Sequence, residues 1–160
     1  APGLFTVTGG KWTTYRSMAA QLMRSIQAHG DLPSAPVGAT DTARHRLVGT
    51  PEAQAPAISI SQAPGLHLWG SEASLVQALP GAQRDLGMGL SEAMVRFAAR
   101  NEWALTVEDM LARRWRALFL DARQAAIMAP AVAALLQEET GLDPQLDAFL
   151  SLCQRYTLSY

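Results

Sequence analysis

The residues best suited to chemistry stand almost at the start: Gly9, Gly10, Lys11, Trp12, Thr13 and Thr14, within the stretch "VTGGKWTTYRSMA". A glycine pair lets the backbone turn sharply and come close to a ligand. A helix beginning just after it offers N–H groups that have no intrahelical partner. That end carries partial positive charge, suited to a phosphate or to the electron-rich carbonyl of a ring, and Lys11 and Arg16 add full charges nearby. Thr13 and Thr14 bring hydroxyls for capping or for ligand binding. The same residues also suit a plain strand-to-helix turn, with Thr13 as N-cap and Trp12 and Tyr15 in a core. A phosphate-binding P-loop does not fit, because Phe5 and Trp12 stand where that motif needs glycine and a hydroxyl residue.

A second set of charged residues, Glu102, Glu108, Asp109, Arg113 and Arg114, has the spacing of a helix start and its following turn. Acids at a helix N-terminus and an i, i+4 Asp109–Arg113 pair are explained by helix electrostatics, and Glu102 can reach across the turn to an arginine. A structural ion-pair network is therefore expected. His29, His45 and His67 lack metal-ligand spacing, and no metal site is expected. Cys153, the single cysteine, lies in an apolar helical stretch and reads as a small core residue.

The elements that hold these residues divide the chain unevenly. "GLFTVTGG" is predicted as a strand, from bulky and β-branched residues ended by the glycines, although it has no obvious ladder partner. Tyr15, Met18, Ala19, Leu22, Met23 and Ile26 recur at three- and four-residue spacing, which predicts a helix ending near His29–Gly30. Residues 31–65, with five prolines, read as linker and irregular wrapping, "AISIS" alone hinting at an extended piece.

From residue 66 onward about five helices are predicted. Ser71 is expected to cap the first, with a Pro-Gly stop after it, and Ser91 to cap one whose stripe is Leu90, Met94, Phe97 and Ala98. Thr106 and Asp109 form a capping box before Val107, Met110, Leu111, Trp115 and Leu118. Asp121 caps the next helix, where Pro130 either kinks the chain or starts a new helix that Gly141 closes. Asp143-Pro144 opens the last helix, with Leu146, Phe149, Leu150 and Cys153. Trp69, Trp103 and Trp115 could form an apolar face. The fold class is thus mainly α: a strand–turn–helix edge over 1–30, a proline-rich crossing over 31–65 and a helical unit over 66–160.

Two blocks carry a family resemblance. "GGKWTTYR" followed by "SMAAQLM" resembles the signature near the end of the FAD-binding domain in FAD-dependent glycerol-3-phosphate dehydrogenases. "VRFAARNEWALTVEDMLARRWRALFLDA", residues 95–122, is similar to the helical C-terminal domain of the same family. The resemblance implies a C-terminal segment of a flavoenzyme that oxidises sn-glycerol 3-phosphate to dihydroxyacetone phosphate and passes electrons through FAD to quinone. Gly9, Gly10, Lys11, Trp12, Thr13 and Thr14 would then lie against the flavin, with Lys11 an electrostatic stabiliser near the reacting ring. Its partners would be the FAD and substrate domains of the same chain. No G-x-G-x-x-G follows a strand, so the segment alone is expected to be inactive and not to retain FAD. An oxygen-using oxidase and a non-catalytic interaction or oligomerisation module are the alternatives. Without the calcium loop of the mitochondrial form, a bacterial parent is expected, cytoplasmic and peripheral on the inner membrane.

Composition narrows the other classes. Thirteen basic against fourteen acidic residues leave a net charge of −1, so "LARRWRALF" is not expected to bind nucleic acid. No apolar run approaches the ~20 residues that span a bilayer.

Overall fold

The structure, a computed structural model, describes residues 3–30, 42–50, 58–59 and 61–157. The chain divides into two compact units, Ala1–Arg46 and Leu47–Tyr160. In the first, a 3-10 turn over Trp12–Thr14 leads into α1, Tyr15–His29, which stops at left-handed Gly30. The strand expected before it does not form: Leu4 to Thr8 has no ladder partner among the described residues, and a strand without a partner leaves its backbone groups unpaired. The extended piece expected in "AISIS" lies partly outside the described residues.

The second unit is helical around one small hairpin. A 3-10 stretch over Leu66–Glu72, broken at Gly70, runs into the short α2, Ala73–Gln77. Ser71 is not the expected cap. It lies inside the 3-10 stretch, and its N–H donates to the Gly49 carbonyl at 3.3 Å. β1, Asp85–Gly87, and β2, Leu90–Ser91, pair antiparallel with a bulge and deliver the chain to α3, Glu92–Asn101. At the start of α3 the Ser91 hydroxyl accepts from the Met94 N–H at 3.4 Å. Leu90, Met94, Phe97 and Ala98 are all buried, as their spacing requires.

Between α3 and the next helical segment the backbone turns at Trp103, a left-handed residue with φ 61°, and the Ala104 amide folds back onto the Ala98 carbonyl. The capping box forms in both directions: Asp109 N–H donates to the Thr106 hydroxyl at 3.1 Å, and Thr106 N–H donates to the Asp109 carboxylate at 3.0 Å. The helix it opens is not the regular one expected. Asp109–Arg114 is wound as a π turn, Trp115 N–H reaching back five residues to the Met110 carbonyl, and left-handed Arg116 then breaks the axis before α4, Ala117–Leu120. Val107, Met110, Leu111, Trp115 and Leu118 are nevertheless all buried.

α5, Ala122–Thr140, is one helix that runs straight through Pro130, capped by Asp121 and closed by Gly141. Proline there removes one intrahelical donor, and burial of eight α5 side chains offsets the loss. After Gln145, α6, Leu146–Tyr156, packs against α5 with Phe149 and Cys153 buried.

One ion-pair cluster ties α3 to the end of α5. Arg96 bonds Glu138 at 2.9 Å and Glu139 at 2.5 Å, and Arg100 holds the other Glu139 oxygen at 2.6 Å. The Glu139 side chain is only 8 % exposed. Its hydrogen bonds from Arg100 and Arg96 outweigh the effect of burial and hold its carboxyl below the ordinary value of 4.5, while Arg96 does the same for Glu138. A depressed carboxyl stabilises the fold fully above pH 4.5 and loses that contribution as the pH falls through its lower folded value. Glu139→Gln is therefore expected to cost about 1–3 kcal/mol in a urea melt at neutral pH. It should also flatten the loss of stability on acidification below pH 4.5, and an unchanged acid limb would refute the assignment. At the α3 turn, glycine adopts the left-handed conformation without the Cβ clash, so Trp103→Gly is expected to raise stability by up to about 1 kcal/mol; a lower melting temperature would show that the exposed indole contributes to the fold.

Candidate functional site

The turn at residues 9–14 is built by backbone geometry. Gly9 and Gly10 have φ of 76° and 105°, conformations that side-chain-bearing residues rarely adopt. A Cβ at Gly9 would meet nothing within 4 Å, so the backbone is open to close approach there. One at Gly10 would strike the flexible end of Met18. Lys11 is extended, and the chain then winds: Thr14 N–H and the Thr14 hydroxyl both donate to the Lys11 carbonyl, at 2.9 and 3.0 Å. The N–H groups of Trp12 and Thr13 precede this first bond and have no acceptor in the adjoining helix.

Two expectations fail here. Thr13 is not the cap, because Lys11 precedes the 3-10 turn and Thr14 precedes α1, neither with a side-chain cap bond. Trp12 and Tyr15 are not core: they are 89 % and 57 % exposed, their rings 5.8 Å apart. Neither the 3-10 turn nor α1 buries any residue. Beside the turn, an open groove of about 360 Å³ runs between Thr6–Thr8 and the Met18, Gln21 and Leu22 side of α1. Thr6 and Gln21 escaped the sequence reading, because nothing in their local pattern marks a groove wall.

The charges of the second unit are used up in structure. Arg113 bonds Glu108 at 2.7 Å and Asp109 at 2.9 Å. Burial would raise the Asp109 carboxyl, but bonding to the Thr106 hydroxyl, to the Thr106 and Leu105 amides and to Arg113 brings it below its ordinary range. Arg114 reaches back across the turn to the Glu102 backbone carbonyl, to the Glu102 carboxylate at 3.5 Å and to the Asp109 carbonyl at 3.2 Å. Glu102 also accepts from the Trp69 indole at 2.9 Å. Trp69 stacks on Trp115 at 6.1 Å and meets Phe97 edge-on, so of the three tryptophans of the apolar face Trp69 and Trp115 are core and Trp103 is exposed.

Burial pushes the Cys153 thiol up, which makes it a poor nucleophile. Among the described residues no group of three or more His, Cys, Asp or Glu could hold a metal ion, and no helix is long and apolar enough to cross a membrane. The turn at Gly9–Thr14 is thus the place where backbone donors, a cation and open space coincide.

Residues 6–146 match a family described as the C-terminal domain of alpha-glycerophosphate oxidase. The chain is 33 % identical over 168 residues to the mitochondrial glycerol-3-phosphate dehydrogenase SDP6 of Arabidopsis thaliana, covering 86 % of this chain and 26 % of that protein. It is 31 % identical to a probable mitochondrial glycerol-3-phosphate dehydrogenase of Dictyostelium discoideum, over 84 % of this chain and 23 % of that one. To the mitochondrial glycerol-3-phosphate dehydrogenase of Homo sapiens it is 27 % identical, over 88 % and 22 %. The chain spans about a quarter of the length of these curated relatives. No solved structure matches.

The two arginines of the π turn separate by their partners. Arg113→Ala removes bonds from a side chain that is 56 % exposed and is expected to cost under about 1 kcal/mol. Arg114→Ala removes side-chain bonds to the Glu102 and Asp109 carbonyls from a less exposed side chain, 27 % against 56 %, and should cost about 1–2 kcal/mol. Thermal melts of both variants check the order, and an equal or reversed effect would overturn it.

Proposed function

The chain belongs to the family of the C-terminal domain of alpha-glycerophosphate oxidase, and from that premise we propose that it is the C-terminal part of an FAD-dependent glycerol-3-phosphate dehydrogenase whose flavin rests against the Gly9–Thr14 turn. The observation that carries this reading is a doubly left-handed glycine turn opening onto helix-start amides, on a unit that buries none of its own described residues. Such a unit needs a neighbour, and the preceding FAD and substrate domains of the same chain would supply it.

The residues present fit the group. Gly9 leaves the backbone uncovered for a planar ring, the Trp12 and Thr13 N–H groups are donors without intrahelical acceptors, and Lys11 adds a full positive charge. When bound, FAD supplies the hydride acceptor for oxidation of sn-glycerol 3-phosphate to dihydroxyacetone phosphate. The turn would stabilise negative charge gathering at the pyrimidine end of the ring, with donors already oriented and no rearrangement needed. Lys11 acts there by its charge, as an electrostatic stabiliser near the reacting ring.

We assign the helical unit a non-catalytic, accessory role, because its ion pairs and buried indoles satisfy one another. The electron acceptor in this reading is quinone, with the whole enzyme peripheral on a membrane. The dehydrogenase names of the relatives support it, and the oxidase description of the matched family supports oxygen as the alternative acceptor. Those relatives carry mitochondrial names and do not bear on the expectation of a bacterial parent.

Bulk at the turn tests the assignment. In the full-length protein, Gly9→Val and Gly10→Val are expected to lower bound flavin, read from its visible absorption, and to cut turnover by about tenfold or more. Normal flavin content and normal turnover would refute the role of the turn. The 160-residue chain mixed with FAD and glycerol 3-phosphate should leave the flavin oxidised, and bleaching would refute its inactivity.

A further inference from the structure

One methionine of α1 reaches the glycine pair. Met18 stands at the end of the first turn of α1, four residues after Thr14 and so on the same side of the helix. Helical side chains slant toward the N-terminus, and the end of this one lies against Gly10. A Cβ built on Gly10 would stand 2.5 Å from the Met18 methyl and nearer still to its sulfur. Apart from the adjoining residues, no other described atom comes within 4 Å of that point. The Thr14 hydroxyl, which donates to the Lys11 carbonyl at 3.0 Å, lies 3.6 Å from the same sulfur.

Two adjacent glycines have no side chains to restrict them and much backbone freedom to lose. Donors stabilise developing charge without rearrangement only if their direction is fixed beforehand. On one side the turn is fixed by the two Thr14 bonds to the Lys11 carbonyl. On the other, Met18 supplies the contact. α1 buries no residue, and along it only Met18, Leu22 and Ile26 are partly covered, so the place of Met18 beside Gly10 is not the by-product of a core.

We propose that Met18 is a positioning residue for the flavin: its thioether rests against Gly10 and sets the direction in which the Trp12 and Thr13 N–H groups point. This rests on the reading that the flavin lies against the turn. Methionine suits the task because an unbranched, polarizable thioether fills an irregular gap against backbone without a strong polar group to satisfy. The two glycines thereby divide their work, Gly9 being bare toward open space and Gly10 toward Met18. Leucine at position 18 places a methyl where the sulfur stands and keeps the brace, whereas valine and alanine are too short to reach it.

The midpoint potential of the bound flavin in the full-length protein tests this. Loosened donors stabilise the reduced ring less, so Met18→Ala is expected to make reduction about tenfold less favourable, a potential about 30 mV more negative for a two-electron couple. Turnover should fall with it, while KM for glycerol 3-phosphate stays near normal. Met18→Leu should keep the wild-type potential. Gly10→Ala puts a methyl where Met18 rests, so the two losses overlap: the double variant is expected to fall short of the product of the single losses by about threefold or more. If Met18→Ala misfolds by circular dichroism, Met18→Val against Met18→Leu decides, valine shifting the potential and leucine not. A wild-type potential in Met18→Ala, an equal shift in Met18→Leu, or a double variant that equals the product would each overturn the proposal. Gly9→Val separates it from the reading beneath it. Flavin lost there while Met18→Ala behaves as wild type removes the role of Met18 alone, whereas normal flavin and turnover in Gly9→Val remove both.

Discussion

Everything ordered in the second unit depends on burying α5. Nineteen residues long, with eight side chains inside, it packs against α3, α4, α6 and the β1 strand. A helix apolar on most of its circumference has a large area to remove from water, at about 25 cal/mol per Å², and each neighbour removes part of it. α3 contributes the buried Met94, Phe97 and Ala98 and the paired arginines that bind Glu138 and Glu139. α6 contributes Phe149 and Cys153. The proline in the middle of α5 is tolerable in this setting, because the helix is held by its surroundings and not by its own ladder alone.

The first unit is under the opposite constraint. α1 has an amphipathic pattern and a proper left-handed stop, yet buries nothing of its own, with Leu4, Val7 and Met23 also exposed. Short helices in water are marginal, and most helix stability in proteins comes from packing of the apolar face. Function and stability therefore share a requirement here: the partner surface that would complete the proposed flavin site would also bury the face on which the turn is mounted.

Local chemistry was legible in the sequence, and long-range pairing was not. Ser91, Thr106 with Asp109, Asp121 and Gly141 mark helix ends by bonds made within a few residues, and all act where their types say they should. The spacing of Val107, Met110, Leu111, Trp115 and Leu118 identified the buried set even though the backbone beneath it is π-wound and then broken. The Glu139–Arg96 pair spans 43 positions and leaves no local trace. The hairpin escaped because strands of three and two residues are too short to show alternation. The run from Leu4 to Thr8 has the composition of a strand and lacks the partner that makes one. At the turn, the glycine pair and following helix were readable from residue type, whereas the exposure of Trp12 and the groove beside Met18 depend on how much protein surrounds them.

The wide turn at Asp109–Arg114 holds one residue more than a regular helical turn. Excising one residue there would rewind the segment to ordinary pitch and swing the downstream chain by about 100°. Trp115 would then lose its stack on Trp69 and its indole bond to the Met88 carbonyl. The number of residues in this segment thus sets the position of Trp115 as firmly as their burial sets its packing.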